Sequence, residues 1–405
     1  MQNLLDGIRV LDFTRVFAGP AATQVLGDLG ADVVKIEPPA GDEARYYGVS
    51  AEQLAELGMS PSFIALNRNK RSISLDMRNP QGKALAKRLA LSSDVIVSNF
   101  RPGVMERLGL GYDELSSENP RLIQAEFTAY GRTGDLSEVG ANDLALQAYS
   151  GLISVTGEPG RPPVRCGTAV IDMHGSLALV AGILAAILHR WKTGRGQRVD
   201  SSLLMSAAHL LGHFYTEYWM TGIERKPMGT ANHLTVPNQA FPALDGEVVI
   251  IASTDEQWRR CAHALDAATL DVPEFARVFD RQQNREALVE ALSAVTRKLT
   301  TTELVRRLGK EKVVVAKVNS VGEAASSPQL AAIGGRVILE QQGKHVPTVA
   351  SPFHMSEFDL RHARPAPALG QDTHAILADY GLDPVEIGRI VMSGALGETA
   401  STGTD

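Results

Sequence analysis

The alternation of short β-favouring runs with helical stretches over the first 130 residues most constrains the fold of this chain. The first two runs lie at 9–13 and 32–37. Between them, Pro20 opens and Gly30 closes a stretch typical of a helix. Further β-favouring runs follow at 72–76, 94–98 and 122–127. This alternation predicts an α/β fold with a parallel sheet. Ligands of such sheets bind beyond the carboxyl ends of the strands, which points to loops 14–20, 99–103 and 128–134.

Composition places the chain among ordinary globular proteins. Of its 405 residues, 44% are hydrophobic and 21% are charged, which excludes wholesale disorder. The formal charge of −6 comes without a basic stripe, so no nucleic-acid partner is expected. The two cysteines, Cys166 and Cys261, form no metal-ligand pattern and suit a reducing compartment.

The N-terminus shows no basic segment followed by an apolar run, so no signal peptide is predicted. The longest apolar run, 177–188, is shorter than the roughly 20 residues that a membrane span needs. It lies in a stretch at 175–191 that is apolar nearly all round, which predicts a buried helix. We therefore expect a cytoplasmic protein without a membrane partner.

Two loops at predicted strand ends are candidates for ligand binding. The loop 14–20 lacks the Gly-x-Gly-x-x-Gly pattern of dinucleotide-binding proteins, which disfavours nicotinamide and flavin cofactors. The segment 99–103 joins a strand to a helix, where free N–H groups and the helix dipole favour an anion. Arg101 would add a bidentate grip on a phosphate. A plain polar turn explains the same residues equally well.

Three further groups leave alternatives open. Asp172 precedes the predicted buried helix and either caps it or serves as a desolvated nucleophile for acyl transfer. Lys70 and Arg71 form a basic pair of a kind that is usually solvated surface. His209 and His213 stand four residues apart on a predicted helix, a spacing that can bind metal. Without a third ligand, a packed or partner-facing pair is the better interpretation.

Several segments together resemble the class III CoA-transferases, the family of formyl-CoA:oxalate and carnitine CoA-transferases that also includes α-methylacyl-CoA racemase. The resemblance covers about residues 4–385, and the order and spacing of the segments make it specific. The matching segments lie at 5–14, 18–20, 26–37, 69–76, 99–103, 149–151, 193–197, 351–353 and 366–373.

The resemblance implies a Rossmann-like large domain built from both chain ends, residues 1–224 and 326–405. A smaller α/β domain, residues 225–325, would come from the middle of the chain. It also implies a homodimer whose two chains are interlocked like rings. Coenzyme A, as co-substrate, would bind in the large domain, and no metal would take part.

The resemblance also implies site residues. Asp172 falls on the family's catalytic aspartate, which would form an acyl anhydride and then a thioester with CoA. Stabilisation of the oxyanions requires close backbone approach, for which Gly140 and Gly167 are candidates. The positions that fall on CoA contacts are Phe17, Ala18, Leu75, Arg78, Asn99, Phe100, Arg101 and Arg107.

Departures from the family pattern narrow the activity. The racemase branch has a histidine base where this chain has Asn142, and a neutral amide cannot take that role. The glycine run of the oxalate branch is replaced by residues 229–233, and a CoA-gripping basic residue by Pro38. CoA affinity would then depend on Arg101, Arg107 and the Lys70–Arg71 pair.

The expected function is reversible CoA transfer from an acyl-CoA donor to a carboxylic acid. A racemase-type isomerase and a non-catalytic CoA-binding protein are the alternatives. Positive charge at Arg45, Arg165 or His233 would suit a dicarboxylate and hence succinyl-CoA as donor, although each residue can equally be surface or a CoA contact.

Overall fold

The computed structural model describes residues 3–341, 343–360 and 363–397, apart from the side chains of Gln53 and Ala55. It divides into two compact units. The first comprises the described residues up to Ser150, the segment Cys166–Gly222 and the described residues from Ala331 onward. The second comprises Gly151–Arg165 and Ile223–Leu330. The domain boundaries expected from the sequence assign 151–165 to the large domain, whereas this segment belongs to the second unit here. The boundaries stay a prediction.

A six-stranded parallel sheet forms the centre of the first unit, as the sequence predicts. The strand order is β3-β2-β1-β4-β5-β6, so the direction of winding reverses between β1 and β4. Such a reversal opens a crevice at the carboxyl ends of the strands. The strands are β1 (Arg9–Asp12), β2 (Asp32–Glu37), β3 (Lys70–Ser74), β4 (Val95–Ser98), β5 (Ile123–Thr128) and β6 (Arg198–Ser202).

Helices cover both faces of this sheet, and a hairpin of β10 (Arg336–Gln341) and β11 (Lys344–Val349) completes the unit's strands. The helices before the middle of the chain are α1 (Ala18–Asp28), α2 (Ala51–Leu57), α3 (Pro61–Leu66), α4 (Pro80–Leu91), α5 (Val104–Arg107), α6 (Tyr112–Glu118), α7 (Asp143–Tyr149), α8 (Val170–Thr193), α9 (Leu203–Leu210) and α10 (Gly212–Thr221).

The second unit has its own sheet and core. Its antiparallel strands, in the order β7-β8-β9, are β7 (Asn238–Pro242), β8 (Glu247–Ile251) and β9 (Val314–Lys317). Phe241, Trp258 and Leu304 are buried in the core beneath them. The remaining helices of the chain are α11 (Asp255–Leu265), α12 (Val278–Gln283), α13 (Arg285–Thr296), α14 (Thr301–Lys310), α15 (Val321–Ala325), α16 (Pro328–Ala332), α17 (Thr373–Asp379) and α18 (Pro384–Met392).

Helices α18 and α8 differ from what the sequence predicted. Helix α18 was not expected, although Asp383 and Glu386 form a capping box around Pro384 at the first helical position. This start signal was present in the sequence. The other helix is α8, which was expected at 175–191 and begins five residues earlier.

Helix α8 is buried on one side only, contrary to the prediction of a helix buried all round. Its inner face packs tightly on β5, since a Cβ at Gly175 would lie 2.4 Å from Cζ of Phe127. Its outer face leaves Met173, Leu177 and Trp191 exposed. By length and composition alone α8 is apolar enough to cross a membrane, but 44% of that stretch is buried against the protein. Core helices of soluble proteins pass the same test.

Candidate active site

A cavity of about 610 Å³ opens at the carboxyl ends of β1 to β4, where the strand order reverses. Apolar side chains form most of its wall, and two arginines supply positive charge. The residues that line it are Phe13, Arg15, Ile36, Pro38, Pro39, Ala40, Leu75, Asp76, Met77, Arg78, Phe100, Val104 and Leu108. The position agrees with the rule for ligands of wound parallel sheets.

Buried charges hold the loop 14–20 beside this cavity. Oδ1 of Asp12 accepts hydrogen bonds from the backbone N–H and the hydroxyl of Thr14, at 2.8 and 2.5 Å. Nζ of Lys35 donates to the Thr14 carbonyl at 2.7 Å and pairs with Asp42 at 3.0 Å. Burial by itself raises the pKa of Asp12, but the ammonium groups of Lys70 and Lys35 hold that pKa below its usual range. The network therefore stays charged and fixes the loop.

Lys70 belongs to this network, so its interpretation as solvated surface is wrong. Its Nζ donates to Asp12 at 3.1 Å, and to Pro20 O and Asn67 Oδ1 at 2.9 Å each. Burial lowers the pKa of Lys70 to about 8, which leaves it mostly protonated at neutral pH. Arg71 pairs with Asp32 and Asp379 at 2.6 Å each. Neither side chain of the expected CoA-gripping pair is free to bind a phosphate in this structure.

The predicted CoA contacts fall into different environments. Leu75, Arg78 and Phe100 line the cavity. Arg78, however, is 86% exposed in its side chain and pairs with Asp76 through two nitrogens. The amide of Asn99 donates to the Arg15 carbonyl at 2.7 Å and accepts from the Arg15 N–H at 2.9 Å, so it fixes the neighbouring loop.

The remaining predicted contacts do not belong to the residues that line the cavity. Phe17 is half-buried at the start of α1, Ala18 is buried within it, and Arg107 is exposed. Arg101 is also exposed, and its guanidinium lies against Gly140: a Cβ at Gly140 would lie 2.4 Å from Nη2. Gly140 therefore permits a close approach, but of the Arg101 side chain. No such approach occurs at Gly167, where nothing described lies within 4 Å.

Asp172 lies in the first turn of α8, after Ala169 at the N-cap position. The carboxylate that binds the free N–H groups of this turn is that of Asp143, whose Oδ2 accepts from Ile171 N at 2.8 Å and Asp172 N at 3.1 Å. Its Oδ1 accepts from Gln147, and Gln147 accepts from Cys166 N at 2.9 Å. Asp143, which the sequence analysis did not single out, thus performs the capping once considered for Asp172.

The Asp172 carboxylate is in an unusual electrostatic environment. Within the described parts of the chain, it makes no hydrogen bond and no ion pair that would stabilise its charge. Burial, and then the charge of Asp143, raise the pKa of Asp172 to about 7. A carboxylate of this kind is a stronger base than an ordinary aspartate, and basicity increases nucleophilicity. The geometry therefore suits covalent catalysis.

A short segment connects Asp172 with the edge of the cavity. Arg101 touches Gly140 at one end of this segment, and Asp143 binds the backbone of Asp172 at its other end. Between them, the Asn142 side chain caps α7 by accepting from Ala145 N at 3.1 Å. Because Gly140 and Asp143 are three residues apart, they are separated by at most about 11 Å. The segment thus links Asp172 to the loop 99–103, whose Phe100 lines the cavity.

The histidines form a different pair from the expected one. Ser206 Oγ donates to Ile171 O at 2.9 Å, so it accepts from His174 Nδ1 at 2.8 Å. The other nitrogen of neutral His174 then accepts from His209 Nδ1 at 3.1 Å. His213 instead packs on Phe214, with ring centroids 4.1 Å apart. Within the described ranges, no group of three or more His, Cys, Asp or Glu is placed to hold a metal ion.

Arg45, a candidate for binding a dicarboxylate, is fully engaged. Its Nε and Nη2 donate to Glu37 at 2.8 and 2.7 Å, and its guanidinium carbon lies 3.8 Å from the centroid of Phe63. It is 3% exposed, so its role is structural and that candidate is wrong. Arg165 and His233 lie in the second unit, and their role stays a prediction.

Comparisons with known proteins agree on one family. The sequence model of CoA-transferase family III matches residues 5–373 of this chain. A succinate–glutarate CoA-transferase of Agrobacterium fabrum is 34% identical over 93% of this chain and 95% of its own length. A succinyl-CoA:glutarate CoA-transferase of Homo sapiens is 34% identical over 98% and 91%. The crystal structure of a CAIB/BAIF family protein from Brucella suis has a TM-score of 0.84 at 33% identity, covering 94% of this chain and 100% of that one.

Proposed function

The chain belongs to CoA-transferase family III, and from this premise we propose that it moves CoA from succinyl-CoA to a second carboxylic acid through covalent intermediates on Asp172. The observation that carries the proposal is the Asp172 carboxylate itself, half-buried, without a stabilising donor and with its pKa raised to about 7. The succinate and glutarate in the names of two relatives support a dicarboxylic acid on each side of the reaction.

In the first half-reaction, an Asp172 oxygen attacks the thioester carbonyl of the donor. The carbon–sulfur bond breaks, CoA leaves as thiolate, and a mixed anhydride of Asp172 and the donor acid remains. The thiolate then attacks the Asp172 carbonyl, expels the donor as a free carboxylate and leaves an aspartyl-CoA thioester. Dividing the transfer this way replaces one difficult step by two easier ones.

The second half-reaction reverses these events with the acceptor. Its carboxylate attacks the Asp172 carbonyl and displaces the CoA thiolate, which forms an anhydride of Asp172 and the acceptor. The thiolate attacks the acceptor carbonyl of this anhydride and releases Asp172 as carboxylate. Each step breaks one activated acyl bond and makes another, so no ATP is consumed.

The cavity beyond β1 to β4 fits a CoA-type ligand in its chemistry. Phe13, Met77 and Phe100 offer apolar and aromatic surface, while Arg15 offers positive charge for a phosphate. The predicted contacts Phe17, Ala18, Asn99, Arg101 and Arg107 lie in the loops that follow β1 and β4 or in the helices that come next. We propose the cavity as the site of the nucleotide part of CoA.

Trapping the aspartyl-CoA thioester tests the proposal. The enzyme is mixed with succinyl-CoA without acceptor, treated with borohydride or hydroxylamine, and digested for peptide mass spectrometry. We expect the modification on Asp172 alone. A panel of acceptor acids, read as new CoA esters, then identifies the second substrate. Solvent deuterium entering the acyl α-carbon without an acceptor would favour the racemase alternative, and tight CoA binding without transfer would favour a non-catalytic protein.

The pH dependence of transfer provides a second prediction. Asp172 reacts as the carboxylate, so kcat/KM for the donor falls by half near pH 7 and further in acid. Asp143→Asn retains an oxygen to accept the two N–H groups of α8 but removes the negative charge. The pKa of Asp172 then falls, and the acid limb of the profile moves to lower pH.

The same variant changes the covalent equilibrium. Acylation neutralises Asp172 just as protonation does, so repulsion from Asp143 favours the aspartyl-CoA state over the free carboxylate. At a given succinyl-CoA concentration, we expect less aspartyl-CoA thioester to be trapped on Asp143→Asn than on the wild-type protein. Glu138→Gln, which removes an exposed carboxylate five positions before Asp143 in the chain, is the matched control. An unchanged acid limb in Asp143→Asn would contradict the role given to its charge.

We propose that the active form is an interlocked homodimer. Besides the exposed apolar side chains of α8, helix α10 leaves Trp219 and Met220 exposed to 76% and 79%. Faces of this kind mark protein contacts. Light scattering after size exclusion is expected to give twice the chain mass of 43.4 kDa; a single-chain mass would contradict the dimer. The buried thiol of Cys261 suits a reducing compartment, which supports a cytoplasmic location.

A further inference from the structure

Arg15 is a cation of the cavity that the sequence analysis did not select as a ligand. It follows the end of β1 by three residues and lines the cavity with Phe13 and Phe100. Its guanidinium carbon lies 5.3 Å from the centroid of the Phe100 ring. Stacking of this kind orients a planar guanidinium while leaving its N–H groups able to donate.

The backbone around Arg15 is held on both sides. The Asn99 amide binds its N–H and its carbonyl, as described above. The next residue, Val16, has a φ of +70°, which is rare for a β-branched residue, and its N–H donates to the Asp42 carboxylate at 3.2 and 3.3 Å. Strained backbone persists only where its surroundings enforce it. The loop therefore presents Arg15 in a set position before any ligand arrives.

The Arg15 side chain has a hydrogen-bond donor without a partner. Its Nε is buried and has no hydrogen-bond partner, and no carboxylate in the described ranges forms an ion pair with it. The other arginine of the cavity differs, because Asp76 neutralises Arg78 through two hydrogen bonds. An anion of the right size would satisfy Arg15 and would gain a charge-assisted, bidentate contact.

We propose that Arg15 is the phosphate-binding residue of this cavity and holds one phosphate group of the acyl-CoA substrate. The proposal rests on the proposed function for the identity of the ligand, and it goes beyond that function by assigning the phosphate contact to a residue of the first loop. Asn99 is then a positioning residue, acting on the ligand through the Arg15 backbone.

The test compares Arg15→Gln with the wild-type protein on three thioesters: succinyl-CoA, succinyl-dephospho-CoA and succinyl-pantetheine. We expect KM for succinyl-CoA to rise about 10- to 100-fold, as for loss of a charged hydrogen bond, with kcat changed far less. Succinyl-pantetheine has no phosphate on the pantetheine, so its kcat/KM stays the same. Arg15→Lys keeps the positive charge but loses the bidentate geometry of the guanidinium, so its KM for succinyl-CoA is expected to lie between those of the wild type and Arg15→Gln.

The dephospho thioester tells the two phosphate positions apart. An equal loss on succinyl-CoA and succinyl-dephospho-CoA assigns Arg15 to the diphosphate, whereas a loss confined to succinyl-CoA assigns it to the 3′-phosphate. Lys83→Gln, which removes an exposed positive charge of α4, is the control and should match the wild type. A KM for succinyl-CoA within twofold of wild type, or an equal loss on succinyl-pantetheine, would overturn the proposal.

Calorimetric titration with free CoA separates this proposal from the proposed function. Binding needs no transfer, so an inactive wild-type protein that binds CoA, and loses about tenfold or more of that affinity in Arg15→Gln, would support Arg15 while refuting the transferase proposal. Equal CoA affinity in both proteins would refute Arg15 alone. Circular dichroism of each variant verifies that it is folded.

Discussion

Replacing Asp172 with alanine is expected to lower kcat for CoA transfer by about 10⁴-fold or more, as removal of a nucleophile does in other covalent enzymes. Both half-reactions pass through an acyl bond to this carboxylate. Asp172 is the acidic residue in the first turn of α8, and its pKa is raised to about 7. Asp143 cannot substitute for it, because both of its oxygens accept hydrogen bonds.

The measurement is steady-state transfer from succinyl-CoA to glutarate, together with the trapping experiment. Asp172→Ala is expected to form no aspartyl-CoA adduct but still to bind CoA, since no part of the cavity wall changes. Asp135→Ala, which removes an exposed carboxylate, is the control and keeps full activity. Turnover of Asp172→Ala within tenfold of wild type would end the covalent mechanism.

The second large effect is on stability. Asp12→Asn is expected to lower the free energy of unfolding by about 3–5 kcal/mol, because it leaves the Lys70 ammonium buried without its carboxylate. Both side chains of this ion pair are fully buried. The amide oxygen still accepts from Thr14, but an NH2 group replaces Oδ2, so the charge and the hydrogen bonds from Lys70 and Thr23 are lost together.

Urea unfolding followed by circular dichroism measures this loss. Asp12→Asn combined with Lys70→Met is expected to recover part of the stability, because the stranded charge is then removed as well. Glu114→Gln breaks an exposed ion pair with Lys87 and is expected to cost less than about 1 kcal/mol. A loss below about 1 kcal/mol in Asp12→Asn, equal to that control, would contradict the importance of the buried pair.

The local sequence was sufficient to predict much of the fold and one part of the site. β1, β2 and β4 were predicted to within one residue at each end, because buried parallel strands appear as short apolar runs between turn signals. The family resemblance selected Asp172, and the structure shows the electrostatic environment that suits its role. The start of α18 could also be predicted from the sequence, because its capping residues lie within four positions of each other.

Other features could not be predicted, since they depend on neighbours far along the chain. Lys70 looks like a surface residue until Asp12, 58 positions away, meets it in the core. The charge of Asp143 raises the pKa of Asp172 only because α7 and α8 bring the two residues together. Asn99 holds the backbone of Arg15, 84 residues before it, while its predicted contact with CoA stays a prediction.

Local periodicity and turn chemistry by themselves determined the α/β class, the parallel sheet and the edge of the sheet at which the cavity opens, since each of these follows from interactions between residues close along the chain. Only the tertiary structure decided which charges are buried, which arginines line the cavity and how basic the Asp172 carboxylate is. The reason is that Coulomb energies depend on distance and solvent exposure in three dimensions, and neither quantity is encoded in the spacing of residues along a chain.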